Sequence, residues 1–485
     1  MTASPGGMTP PYRHVAVIGG GLAGITAGIA LAQAGAGVTL LEAKPRLGGA
    51  TMSFTRDDLV VDTGQHVFLR CCTAYRGLLD RLGMSAHAPI QPRFDVTVLT
   101  PDGRARLRRN MLPAPLHLAP TLLSYDLLSF PERSRVSRAA LAFRGVDPAD
   151  PAADSPRLGD WLAARGQDER ARRALWDLFV VSTLNVPGDD ASLALAAKVV
   201  RTGLLGDKSA ADIGVPALSL GELHGAAAAR LLDKLGATMK LNTKVAAVAP
   251  QSGGGFTITT ARSGENIQAD AVVLAVPHEA AAKLLPAGAL PEATVAGWAK
   301  LGAAPIVNVH AIYDRKVTDL PFAAGVDSPV QWVFDRTRIS GMHARGDDGQ
   351  YLAISLSAAD EYVDKSVAEL REQFVPALAG LFPAARDAKL TEFFVTRERR
   401  ATFRQVPGCV ALRPKAATTL PGLVLAGSWT DTGWPDTMES AVRSGLNAVV
   451  ALREGMEAAG RLPIPVAIND DMSGIDGANE VEVRS

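Results

Sequence analysis

The order of apolar and polar positions divides this chain into short strands and helices. From Val15 to Leu41 there is no charged residue. On length alone such a run suffices for a membrane span, which takes ~20 residues. Its glycines break it into three pieces instead. "HVAVIG" reads as a short buried strand, "GGLAGITAGIALAQAG" as a helix with small residues on one face, and "AGVTLLE" as a second strand. Strands covered on both faces read as unbroken apolar runs, so a strand–helix–strand unit in a parallel sheet is expected.

Three later stretches extend the pattern. "QSGGGFTITTARSGENIQ" predicts a hairpin with glycine at the turn, feeding the strand "ADAVVLAVP" (Ala269 to Pro277). "GLVLAGSWTDTGWPDTMESAVRSG" (Gly422 to Gly445) predicts a strand, a loop and a helix beginning near Pro435. A third, "NMLPAPLHLAPTLLSYDLLSFPERSRVSRAAL", follows the basic cluster Arg104 to Arg109. It reads either as a proline-interrupted helix pair in the core or as an interfacial element, apolar toward lipid with arginines toward head groups. Residues 1–13 are expected to form a flexible tail and the polar, acidic 461–485 a disordered one.

Inside the first unit Gly19, Gly21 and Gly24 stand in the spacing G-x-G-x-x-G. Gly19 permits the tight turn out of the strand, Gly21 lets backbone approach a pyrophosphate, and Gly24 lets the helix pack close to the sheet. The helix N-terminus then offers its partial positive charge to the phosphates. Glu42, at the end of the second strand, is placed to accept hydrogen bonds from a ribose and would repel a 2′-phosphate. Together these predict a dinucleotide site. There is no second G-x-G-x-x-G, so electrons are expected to come from, or go to, an external partner.

Composition narrows the classes. The 485 residues carry 50 basic and 50 acidic side chains, a balance unlike that of a nucleic-acid protein. The length allows a large core and more than one domain. Three cysteines in so long a chain, with no signal peptide, predict a reducing cytosol. Cys71 and Cys72 adjoin in "DTGQHVFLRCCTAY", and with Cys409 they make no C-x-x-C pair. No metal site is expected.

The segment "EAKPRLGGATMS" from Glu42 onward resembles the extended fingerprint of the flavin amine oxidase and phytoene desaturase superfamily. That resemblance implies an α/β fold: a Rossmann-type FAD-binding domain (14–85, 222–300 and 408–460) with an inserted α+β substrate domain (86–221 and 301–407). It implies noncovalent FAD held by Gly19, Gly21, Leu22, Ala23, Gly24, Glu42, Ala43, Arg46, Gly48 and Gly49. Further contacts would come from Gly64, Gln65, His66 and Val245, and from Gly427, Ser428, Thr437 and Met438 near the C-terminus. Many members carry an acid where this chain has Ser428; Asp431 or a water is the expected substitute.

Within the superfamily, "DTGQHVFLRCCTAYRGLLDRLG", "LWDLFVVSTLNVPGDDASLALAAKVVR", "PIVNVHAIYDR" and "AGSWTDTGWPDTMESAVRSG" resemble the hydroxysqualene dehydroxylases, from about His14 to Leu452. Those enzymes of squalene and hopanoid synthesis reduce hydroxysqualene to squalene with FADH2. The resemblance implies an apolar isoprenoid substrate, a proton donor (His66, Tyr75 or Asp431) and a substrate wall including Cys71, Cys72, Trp429 and Trp434. It also implies a cytoplasmic enzyme bound peripherally to an anionic membrane at its inner face. A carotenoid desaturase, a flavin amine oxidase and a non-enzymatic prenyl-binding escort protein are the alternatives. Against the amine oxidase, the strand "APIVNVHAIY" carries Asn308 and His310 where a lysine is usual. Against the escort protein, the glycine fingerprint is intact.

Overall fold

A computed structural model describes residues 14–346 and 348–458; the expectations for 1–13 and 461–485 lie outside the described residues. The charge-free run folds as a strand, a helix and a strand: His14–Ile18, Leu22–Gln33 and Gly37–Leu41. Both strands bury every residue but their first. Among the described residues no helix is long and apolar enough to cross a membrane.

Five parallel strands form the sheet around this unit, in the order Leu423–Leu425, Ala271–Leu274, His14–Ile18, Gly37–Leu41 and Thr238–Lys240. The central strand pairs Val15 with Ala271 on one side and with Val38 on the other. The glycine-rich helix packs on the long C-terminal helix Met438–Ala458. Only small residues allow that approach, because a Cβ on Gly445 would lie 2.4 Å from the Ala23 carbonyl oxygen. The predicted hairpin is present as Val245–Pro250 against Phe256–Thr260, joined by Asn266–Ala269 into a three-stranded antiparallel sheet.

A seven-stranded sheet forms the other layer. Its order is Leu390–Thr402, Ala304–Tyr313, Gln350–Leu356, Trp332–Asp335, Phe322–Gly325, Asp95–Thr100 and Gly103–Arg108. Its pairs are antiparallel except Phe322–Gly325 with Asp95–Thr100. The strand Ala304–Tyr313 lies second in that order, between Leu390–Thr402 and Gln350–Leu356, and carries Asn308 and His310, both fully buried.

The proline-rich segment is divided between core and surface. It forms short turns at Leu116–Leu118 and Ala119–Leu123 and then the helix Phe130–Ala142, begun by a Ser129–Glu132 capping box. Tyr125, Leu128, Val136 and Phe143 are core residues, and the Tyr125 hydroxyl donates to the Ala174 carbonyl. Met111, Leu112, Leu116, Leu123, Phe130 and Leu141 are exposed. Arg109 is no head-group ligand: it is buried, with Nε and Nη2 on Asp212 at 2.6 and 2.8 Å.

Candidate active site

The glycine turn is shaped by what it excludes. Gly19 has φ +110°, and a Cβ there would strike the Ala275 carbonyl oxygen at 2.1 Å; one on Gly24 would strike the Gly19 carbonyl oxygen at 1.9 Å. These two glycines are closed by the protein's own backbone. Gly21 is different: a Cβ there would meet nothing nearer than the Gly49 Cα at 3.9 Å. Its glycine keeps an open cradle rather than a tight contact. The helix Leu22–Gln33 begins there with no side-chain cap and no acid in its first turn, so its leading N–H groups face the cradle unpartnered by the helix.

The following loop closes one side of the cradle. Gly48 N–H donates to the Gly20 carbonyl at 2.8 Å, and Gly48 and Gly49 both take positive φ. Glu42 accepts from the Gly20 and Lys44 N–H groups, both at 2.7 Å. Each carboxylate oxygen keeps a lone pair for a ribose hydroxyl. Ala43 and Gly49 are exposed, Arg46 is half-buried, and Val245 lies at the start of the hairpin sheet. The Glu42 carbonyl, accepting from Thr243, ties that sheet to the loop.

A second group of residues gathers around Gly64. The His66 ring Nδ1 lies 3.3 Å from the Gly64 carbonyl oxygen, and Asn308 donates to the Thr63 carbonyl at 3.0 Å. A Cβ on Gly64 would come within 3.8 Å of the Asn308 amide nitrogen, so Gly64, His66 and Asn308 are neighbours. Asn308 Oδ1 is buried without a partner. Beneath them Asp62 and Arg336 form a buried ion pair, and Asp62 also accepts from Leu220 N–H at 3.0 Å. Burial pulls the His66 imidazolium below its ordinary value, with Arg336 adding to this and Gly64 and Asp62 opposing it. His310 is pushed down to about 3 by burial and by Arg336 and Arg56. It is stacked on Phe394 and bonded to Thr396 and Tyr351.

The C-terminal loop makes the third group. Gly427 has φ +142°, where a Cβ would meet the Trp429 indole nitrogen at 2.4 Å, and its N–H donates to Ser444 of the long helix. The Ser428 carbonyl accepts from Arg413 and Ser440 at 3.0 and 3.1 Å. Thr437 accepts from Ser440 N–H and caps the helix that Met438 begins. Glu439, in that first turn, turns away to accept from Ala74 and Tyr75 N–H and from Arg443. It thereby caps the helix Thr73–Arg81, which has no cap of its own.

Three sequence-derived roles are corrected here. Tyr75 is no free proton donor: it is fully buried, its hydroxyl lies 2.8 Å from His224 Nε2, and burial pushes its phenol far above the ordinary value. Asp431 is exposed and accepts from Gly433 in its own turn. The acid bonded to Ser428 is Asp436, whose carboxyl also accepts from Phe403 N–H at 2.9 Å and which burial holds above the ordinary carboxylate value. Trp429 is no wall residue: its indole donates to the Val276 carbonyl and its ring meets Trp298 edge-on in the core. Trp434 does stand at the surface of this region, half-buried between Lys198 and Arg443.

Cys71 and Cys72 are free, half-buried thiols within hydrogen-bonding reach of one another. That contact lowers Cys71 and raises Cys72. Among the described residues no group of three His, Cys, Asp or Glu side chains could hold a metal. Sequence reasoning passed over Asp436, Arg413, Glu439 and Lys198. Only Asp436, directly after Pro435 and ahead of a helix, had a local signal.

The cradle, the orphaned Asn308 oxygen and the uncapped helix end are features that a large phosphate-bearing ligand would complete. Comparison with known proteins identifies its class. The family model for flavin-containing amine oxidoreductases matches residues 22–453. The chain belongs to that family. The chain is an FAD-dependent oxidoreductase, and the open space at Gly21 fits its cofactor. This oxidoreductase is 30% identical to a hydroxysqualene dehydroxylase of Rhodopseudomonas palustris, over 90% of this chain and 97% of the relative. It is 24% identical to a 15-cis-phytoene desaturase of Glycine max, over 94% and 81%. Among solved structures, cyclohexylamine oxidase from Brevibacterium oxydans aligns with TM-score 0.67 at 21% identity, covering 92% of this chain and 100% of that one. Putrescine oxidase bound to putrescine aligns with TM-score 0.66 at 20% identity, covering 93% and 99%. These structural likenesses establish the amine oxidase fold, a Rossmann-type FAD-binding domain with a substrate domain.

Proposed function

We propose that this oxidoreductase reduces hydroxysqualene to squalene. The observation that carries the reading is the similarity to hydroxysqualene dehydroxylases, which extends over nine-tenths of the chain. FAD binds noncovalently in this reading. Gly19, Gly21 and the first turn Leu22–Gly24 would hold its pyrophosphate, and Glu42, Ala43 and Val245 its adenosine ribose. Arg46, Gly48, Gly49, Gly427 and Ser428 would hold the stretch between phosphate and ring, and Gly64, Gln65 and His66 with Thr437 and Met438 would hold the ring. Reduced flavin supplies a hydride; an external donor supplies its electrons. The protein's own part is to protonate the allylic hydroxyl, exclude water from the cation that remains, and hold the chain of the isoprenoid. Burial disfavours the His66 imidazolium, so this ring serves better as a hydrogen-bond partner than as a cationic acid. The strand that usually carries a lysine in amine oxidases offers buried Asn308 and His310.

An isoprenoid of this size is held in membranes, and the exposed apolar residues between Met111 and Leu141 supply a docking face for an anionic one, at the inner face of the cell membrane. The helix Ala119–Leu123 is pinned to the basic strand Gly103–Arg108: Arg108 N–H donates to Thr121, and Thr121 donates to the Arg106 carbonyl. Apolar side chains and exposed arginines therefore share one edge.

A second reading, oxidative desaturation of a carotenoid precursor, is supported by the match to phytoene desaturases. One experiment separates the two. The photoreduced protein is mixed anaerobically with hydroxysqualene. Flavin reoxidation and squalene should appear together, mole for mole. Oxidised protein that desaturates phytoene, and reduced protein that leaves hydroxysqualene untouched, would establish the second reading instead.

A further inference from the structure

Lys198 is a cation brought inside without an anion. It lies in the last turn of the helix Leu193–Val200, just before a π-helical turn at Arg201–Leu205; such widened turns recur at functional sites. The side chain is half-buried. Among the described residues no carboxylate stands within ion-pair distance of it. Its partner is aromatic: Nζ lies 5.0 Å from the centre of the Trp434 ring. Arg443 approaches the same ring at 4.9 Å, but Arg443 is neutralised by Glu439 at 2.7 Å. Glu439 in turn commits its oxygens to Ala74 and Tyr75. The charged and titratable groups that face Lys198 are Arg443, Arg201, Cys71 and Glu439. Burial first, then the two arginines, pull its ammonium below the ordinary lysine value, while Cys71 and Glu439 oppose them.

A half-buried cation without a carboxylate partner is costly, and this one lies against Trp434, half-buried like Cys71 and Cys72, three of the four residues expected to wall the substrate. Resting on the reading that the substrate is an allylic alcohol, we propose that Lys198 is the acid that protonates the leaving hydroxyl, and that Trp434 holds the positive charge before and after. A proton passes from Nζ to the hydroxyl oxygen. The C–O bond breaks, and the oxygen leaves as water with the bonding pair. The ammonium becomes a neutral amine as the allylic carbon becomes a cation, so one unit of positive charge stays beside Trp434 until hydride arrives. The face of Trp434 attracts either cation. Hydride from reduced flavin brings the electron pair for the new C–H bond, and Nζ recovers a proton from water.

Two variants and two measurements test this. Lys198→Met removes the proton; Lys198→Arg keeps the charge but holds its proton at every working pH. Both should remain yellow with the parent's FAD content. Reoxidation of the reduced flavin by hydroxysqualene should slow at least ~100-fold in both, the scale of a lost general acid, with KM almost unmoved. The parent's rate should fall at alkaline pH as Lys198 loses its proton. That limb should persist in Cys71→Ala and vanish in Lys198→Met. The second measurement needs no turnover: farnesyl trimethylammonium is titrated by flavin difference spectrum. In the parent its affinity should rise with pH, because the ion replaces the Lys198 charge. In Lys198→Met it should be tight and independent of pH. Near-parental rates in either variant, or a pH-independent affinity in the parent, would overturn the proposal. A parent that makes no squalene yet binds the ion with a Lys198-dependent pH profile would instead reject the reaction assigned above and leave the charge exchange standing.

Discussion

The cradle at Gly21 and the wall at Lys198 are built in opposite ways. The cradle is made of backbone, and its key residues are those without side chains. Gly19, Gly21 and Gly24 lie within six positions of one another. The wall is made of side chains from distant segments: Cys71 before one helix, Lys198 at the end of another, Trp434 ahead of a third. Glu439 joins two of those segments, 364 positions along the chain from the Tyr75 N–H that it holds. A site made of local backbone tolerates no substitution but announces itself. A site made of converging side chains tolerates many substitutions and announces little.

The sharpest test of that contrast stays within the three glycines. Gly24→Val should fail to fold, because its Cβ would overlap a backbone oxygen at 1.9 Å that cannot move aside. Gly21→Val should fold and yet be colourless, because its side chain enters open space that the pyrophosphate needs. Expression, circular dichroism and the flavin spectrum after gel filtration read both. A folded yellow Gly21→Val would show that the cradle is not the phosphate site.

Next in size is the ion pair below the Gly64 group. Arg336→Met leaves the Asp62 carboxylate buried and uncompensated, which typically costs about 3–5 kcal/mol. Urea unfolding should show this loss. The double variant with Asp62→Asn should recover part of it, since both charges are then gone. The wall should respond far less. Cys71→Ala with Cys72→Ala removes two half-buried sulfurs and should cost only ~1–2 kcal/mol, with turnover kept within about tenfold. Complete loss of activity in a folded, yellow double variant would give the thiols a chemical role.

The same contrast explains what could be read from the chain. The strand–helix–strand unit was legible because its glycines and apolar runs are contiguous. The hairpin and the strand Leu423–Leu425 were legible for the same reason. Tyr75 and Asp431 were misjudged because neither burial nor a bond to His224 is written in local sequence. Asp431 and Asp436 look alike as letters; only folding puts one in solvent and the other against Ser428 and Phe403. Lys198 was invisible for a sharper reason: a lysine near the end of an apolar helix ordinarily caps that helix or reaches water.

The smallest expected effect on folding comes from the apolar face between Met111 and Phe130, and there function and stability should separate cleanly. Not every leucine of this segment can reach lipid: Leu128 is fully buried and Leu122 and Leu127 are half-buried. The residues free to enter a membrane are Met111, Leu116, Leu123 and Phe130, which are 74, 54, 62 and 71% exposed. Replacing these four by serine removes little native packing, so the unfolding midpoint should hardly move. Each large side chain buried in lipid contributes ~1.5–3 kcal/mol, so liposome binding should fall by orders of magnitude. Charge adds less. Arg106 and Arg108 share Asp95, and each arginine near an anionic surface contributes about 1 kcal/mol. Parent binding should accordingly weaken with salt without disappearing. Turnover of substrate in vesicles should slow in the variant, while turnover of detergent-dispersed substrate should be spared. If the folded variant sediments with anionic liposomes as well as the parent does, the docking face lies elsewhere on the molecule.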